Sequence, residues 1–240
     1  SLNNSNERIL LRDERENPVD VVHYYDGGRW PNLADGRSSS LELRDPDADN
    51  SRAEAWGASD ESDRSSWKTY TIRRIARADT GPVRWHEFVF GMLRDGKVLI
   101  DDVSVFHHAA VDPNAEPAQL IQNGDFENDL IGQQPDAWRI VGNHHGKVVT
   151  DPLDAENQVL LLDATGPTHH EHNYASTTFG DDQRIVNGDE YVISYRAKWL
   201  SGGNQLLSRF YVNRVAATSI IETPPHNGTP GRANSRMVAN

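Results

Sequence analysis

The stretch "KVLIDDVSV", Lys97–Val105, decides how the rest of the chain is read. It is an aliphatic, β-branched run interrupted by two adjacent carboxylates. Side chains alternate between the two faces of a strand, so if Val103 and Val105 point into a core, Asp101 joins their row and Asp102 points outward. A carboxylate at the rim of a core needs a cation or several hydrogen-bond donors to offset its desolvation.

Similar short runs lie on both sides of it. "WKTYTIRR" (Trp67–Arg74), "HEFVFGML" (His86–Leu93), "QVLLLDAT" (Gln158–Thr165), "EYVISYRAKWL" (Glu190–Leu200) and "LLSRFYVNRVAATS" (Leu206–Ser219) mostly end in Gly, Asn, Asp or Pro. That punctuation is typical of an all-β sandwich. In the fourth run, Tyr191, Ile193, Tyr195, Ala197 and Trp199 fall on one face, and Val192, Ser194, Arg196 and Lys198 on the other. One face is expected to be buried and the other wet. In "LLSRFYVNR" the row Leu207, Arg209, Tyr211, Asn213 is the more polar one and the better binding face.

Composition restricts the partners. The formal charge of -12 over 240 residues opposes binding of nucleic acid or an anionic membrane by simple electrostatics. A neutral or cationic partner fits better. No apolar run approaches the roughly 18 residues of a membrane span, and the start "SLNNSNERILL" lacks the blocks of a signal peptide. The absence of cysteine excludes disulfides, thiol nucleophiles and cysteine metal sites.

Residues 1–60 resemble the later part of a lamin-tail domain, a small immunoglobulin-like sandwich found in secreted bacterial proteins. The pieces that carry the resemblance are "ERILLRDERENPVDVVHY", "GRWPNLADGRSSSLELRDP" and "DNSRAEAWGAS". Such domains close with a "GTPG" turn followed by Asn. Here that turn occurs only at Gly228–Gly231, within "NGTPGRANS". The resemblance therefore implies a discontinuous, partial domain, 1–60 plus 226–240, with residues 61–225 inserted into its last loop, a kind of site that tolerates insertion. Because the first strands of that sandwich are missing, the chain is expected to begin inside a longer protein.

The insert resembles carbohydrate-binding modules of the calcium-containing β-jelly-roll type, which are galactose-binding-like in fold. "LIQNGDFEND" (Leu120–Asp129) with Trp138 downstream, "EYVISYRAKW" and "VLIDDVSV" carry this resemblance. In such modules the aspartate strand comes last, whereas here it precedes the expected first strand. The order implies one circularly permuted jelly roll, with "FHHAAVDPNAEPAQ" (Phe106–Gln119) as the new connection. Lys97–Val105 is then expected beside a strand containing Phe126. The resemblance also implies a structural Ca²⁺ shared by Asp101 and Glu127, completed by carbonyls and water. The alternative is that both carboxylates only accept backbone hydrogen bonds at strand ends.

Sugar recognition requires aromatic faces and fixed polar groups. The candidate ligand-binding residues are Trp138, His144, His145, His172, Asn173, Tyr174, Arg209, Tyr211 and Asn213. The histidine clusters lack an HExxH pattern and read as a polar rim for hydroxyl-rich ligands. Large aromatics such as Trp138 and Trp199 are also common core residues.

No G-x-S-x-G setting or phosphate loop is present. Carboxylates gather in turn-like stretches such as "DERE" and "DPDADNS", the latter an Asx-rich turn. The expected function is a noncatalytic, extracellular or cell-surface module that binds polysaccharide or glycan. The alternative is an adhesive or structural unit that meets other surface-protein chains.

Overall fold

The alternation expected for Glu190–Leu200 sets the interior of the larger part of the molecule: Tyr191, Ile193, Tyr195, Ala197 and Trp199 are all fully buried. The computed structural model describes residues 3, 5–31, 34, 40–59, 62–77, 86–112, 114–169 and 171–224. These fall into two units, one from the described residues up to Arg64 together with Pro224, and one spanning Ser65–Thr223. No α-helix occurs among the described residues, and none is therefore long and apolar enough to cross a membrane. Residues 225–240, which carry the GTPG turn, lie outside the described residues.

The first unit contains two antiparallel pairs, β1 (Asn6–Arg12) with β2 (Pro18–Tyr25) and β3 (Leu41–Leu43) with β4 (Trp56–Ala58). The "DERE" turn is organised by Asp13, whose Oδ1 accepts the Arg15 and Asn17 N–H groups at 2.8 Å each. "DPDADNS" forms two Asx turns. Asp45 Oδ1 accepts from the Asp47 N–H at 2.9 Å, and Asp49 Oδ1 from the Ser51 N–H at 3.1 Å.

The second unit is a two-sheet antiparallel sandwich. Its strands are β5 (Lys68–Ile75), β6 (Glu87–Met92), β7 (Gly96–His108), β8 (Ala118–Gln119), β9 (Trp138–Val141), β10 (His144–Asp151), β11 (Asp154–Ala164), β12 (Tyr174–Thr178), β13 (Glu190–Gly202), β14 (Gln205–Phe210) and β15 (Arg214–Ile220). One sheet runs β10-β11-β7-β13-β5, with β8 added to β7, and the other runs β15-β14-β6-β12-β9. Phe88, Phe90 and Met92 from the second sheet meet Ile100, Leu160, Leu162 and the buried row of β13 in one core.

Three local departures from the sequence reading position the site. First, β7 has a bulge. Ser104 pairs with Ser194 and Asp101 with Arg196, so Asp102 and Val103 together oppose Tyr195, and Asp102 takes a left-handed φ of 50°. The extra residue resets the alternation: Val98, Ile100, Val103 and Val105 all enter the core, while Asp101 lies on the outer row beside Arg196. Second, Leu206–Ser219 is a hairpin. A 3₁₀ turn at Tyr211–Asn213, with Asn213 at φ 56°, separates β14 from β15. Third, Leu120–Asp129 is a loop rather than a strand, with Phe126 at φ 59°.

Candidate functional site

The outer row of β7 answers what balances Asp101. Its carboxylate is buried and forms an ion pair with Arg196. Oδ2 also accepts from Asn157 Nδ2 at 3.1 Å, and Oδ1 accepts the Asp102 N–H at 2.7 Å. Arg196 Nε lies 2.9 Å from Asp102 Oδ2, at an angle that makes this an ion pair without a hydrogen bond. The guanidinium also sits 5.0 Å from the centre of the Trp67 ring. Glu127 is exposed, and its Oε1 accepts the Gln158 N–H at 3.2 Å. Asp101 is thus balanced by Arg196, and Glu127 is held at Gln158, so each carboxylate already has a partner from the chain itself. The bulge turned Asp101 toward a cation the chain itself provides.

The loop Leu120–Asp129 packs along this row. The Val103 N–H donates to the Gly124 carbonyl at 2.8 Å, and a Cβ on Gly124 would collide with the Val103 carbonyl. Only glycine allows that approach. Asn123 Nδ2 donates to Asp129 Oδ2 and to the Asp136 carbonyl, both at 2.8 Å. The Asp136 N–H returns to Asp129 Oδ1 at 2.8 Å, and Trp138 Nε1 donates to the Asn123 carbonyl at 2.8 Å. The Asn-Gly-x-Phe-Glu motif with its downstream Trp is thus a staple that fixes a loop against a strand.

Between loop and strand lies an open cleft of about 460 Å³. Asp102, Ser104 and Phe106 come from the strand, and Gln119, Asn123 and Asp125 from the loop side. Phe106 is 37% exposed, an aromatic on an otherwise polar row. Gln119 Oε1 accepts the N–H groups of Val105, Leu120 and Ile121 at 2.9, 2.9 and 3.2 Å. This fixes the amide and leaves its Nε2 donors for a ligand. Partial burial and the Asp101 charge raise the Asp102 pKa, while Arg196 draws it down. The cleft therefore presents an apolar ring, amide donors and carboxylate acceptors.

None of the residues chosen from sequence lines this cleft, although His172, Asn173 and Tyr174 are consecutive and Asn173 holds Asn143 beside His144. Trp138 is a core residue, packed against Phe90 at 6.3 Å and Phe126 at 5.8 Å, and offers no platform. His145 is exposed on β10, in the other sheet from Tyr174. Asn173 Oδ1 accepts the Asn143 N–H at 3.1 Å, a structural duty. Tyr174 and Arg209 lie on strands that flank β6. Tyr174 Oη accepts from Arg139 Nη2 at 3.0 Å, while Arg209 is buried with its Nη2 lacking a hydrogen-bond partner. Tyr211 and Asn213 sit in the 3₁₀ turn, off the row of Leu207 and Arg209. His172 is exposed in the turn before β12. The sequence signal for the cleft was Phe106, which simple alternation from inward Val103 and Val105 places outward beside Ser104.

His144 is buried and structural. Its Nε2 accepts the Met92 N–H at 2.9 Å, so the proton sits on Nδ1, which donates to Asn143 Oδ1 at 2.7 Å. Burial, and then neighbouring His145, lower its pKa from 6.5 to about 4. The unfolded chain therefore takes up this proton first as the pH falls. The contribution of His144 is complete above pH 6.5, falls between pH 6.5 and about 4, and is flat below that. The expected loss across the window is about 3 kcal/mol. Urea unfolding at several pH values measures it, and His144→Gln should flatten that part of the profile. An unchanged slope in the variant would count against this assignment.

Compared with known proteins, the chain matches no family model, no curated protein and no solved structure.

Proposed function

We propose that the protein is a noncatalytic extracellular or cell-surface module that binds a neutral glycan in the cleft beside β7. The observation that carries this reading is the exposed Phe106 ring flanked by the Gln119 amide and the carboxylates of Asp102 and Asp125. A pyranose offers a C–H face to an aromatic ring and hydroxyls to amides and carboxylates, and such mixed lining gives both affinity and orientation. Asp102 and Asp125 would repel uronate or sulfate groups, so neutral sugars are favoured over anionic ones.

In this reading, residues 61–225 form a circularly permuted jelly roll, with Ser65–Thr223 as its compact unit, nested in a lamin-tail-like domain formed by 1–60 plus 226–240. The aspartate strand β7 lies inside a sheet, between β11 and β13, and the loop holding Phe126 packs along it in the same unit. Both facts support the permutation.

Affinity electrophoresis through neutral polysaccharides tests the proposal. Retardation is expected, with Phe106→Ala weakening it by about tenfold, the scale of one lost aromatic contact. Tyr174→Ala should bind as the wild type does. No retardation by any neutral glycan, or binding that survives Phe106→Ala, would sink the sugar reading.

A second reading, an adhesive unit that meets other surface-protein chains, is favoured by the β1–β2 pair, which exposes Ile9, Leu11 and Val19. Self-association at micromolar concentration without glycan retardation would support it.

A further inference from the structure

The connection from β11 to β12 holds three side chains of metal-ligating type, of which sequence alone singled out only His172, as part of a polar rim. Thr168, midway along it, is anchored twice: its N–H donates to the Met92 carbonyl at 2.6 Å, and its Oγ1 to the Asn173 carbonyl at 2.6 Å. A tight turn follows. His169 and Asn173 exchange N–H···O bonds at 3.2 Å each, and the His172 N–H donates to the His169 carbonyl at 3.3 Å. The closed turn sets the His169 and His172 rings nearly parallel, 8° apart with centroids 5.4 Å apart. One ligand atom from each of His169, Glu171 and His172 lies within 4.8 Å of the others.

We infer that this turn is a surface site for a divalent first-row cation of imidazole preference, of the Zn²⁺, Ni²⁺ or Cu²⁺ class. Two donors at about 2.0–2.1 Å from a tetrahedral Zn²⁺ stand about 3.4 Å apart. His172 Nε2 and Glu171 Oε2 are already 3.3 Å apart. His169, whose Nδ1 accepts the Glu171 N–H at 3.3 Å, brings the third ligand atom within 4.8 Å of those two, and all three residues are exposed. Two imidazoles and one carboxylate leave at least one position for water or for a ligand atom from outside the chain. The backbone closure of the turn and its anchor at Thr168 reduce the entropy lost on binding. The site is separate from the cleft beside β7, and neither proposal depends on the other.

Calorimetric titration of the whole chain with Zn²⁺ is the test. One equivalent should bind with micromolar affinity, and His169→Ala, Glu171→Gln or His172→Ala should each weaken binding by about tenfold or more. His23→Ala should leave it unchanged. Melting temperatures of the apo variants should equal that of the wild type, since the side chains are exposed. Absence of micromolar binding, or binding that persists in the His169→Ala/His172→Ala double variant, would overturn the assignment.

Discussion

Arg196→Ala is expected to destabilise the Ser65–Thr223 unit by about 3 kcal/mol, the scale for removing one partner of a buried ion pair. The Asp101 side chain is 2% exposed, so its charge cannot be hydrated in place once the guanidinium is gone. Asn157 and the Asp102 N–H would remain, and neither carries a charge. Asp102 adds a second negative group on the same side. Asp101→Asn should cost less than Arg196→Ala, because Arg196 is 33% exposed and can reach water. The double variant should recover part of the loss, which a double-mutant cycle in urea would measure. Since Arg196 already balances Asp101, EDTA should leave the melting temperature of the wild type unchanged. A fall in melting temperature on chelation would return calcium to this strand.

Trp138→Ala is expected to cost about 4 kcal/mol, within the range for emptying a buried aromatic site. The ring packs in one cluster with Phe88, Phe90 and Phe126. Its indole N–H also satisfies the Asn123 carbonyl, next to the glycine that touches β7. Trp138→Phe separates the two roles. It keeps most of the packing, loses the hydrogen bond, and should cost about 1–2 kcal/mol. If the loop is the wall of a binding cleft, Trp138→Phe should also weaken glycan retardation while the protein stays folded. Equal stability of Trp138→Phe and wild type would remove the staple from the account.

Much of the sandwich was legible because strand alternation is a local property. Glu190–Leu200 needed only the period of two, and Gln158–Thr165 and His86–Leu93 only their β-branched and aromatic content between turn residues. The site was less legible partly because two misreadings came from single residues of left-handed backbone. Asp102 inserted one residue into β7 and so moved Asp101 to the other face. Asn213 helped turn an apparent long strand into a hairpin and took Tyr211 off the row of Arg209. Asp and Asn adopt this conformation more readily than most residues, yet nothing in a single sequence says which of them will. The motif around Gly124 was recognisable as a motif, but its purpose depends on a carbonyl of Val103, about twenty residues away.

By itself, then, the sequence determined an all-β chain with a net acidic composition, no cysteine chemistry, and the buried row of β13, although Lys198 of the row expected to be wet is buried too. Only the tertiary structure decided that Asp101 meets Arg196, that Phe106 and Asp125 share a cleft, and that His169, Glu171 and His172 converge in one turn. The physical reason is range. Alternation and turn chemistry act between neighbours, whereas ion pairs, clefts and ligand sets depend on which strands and loops come to lie side by side.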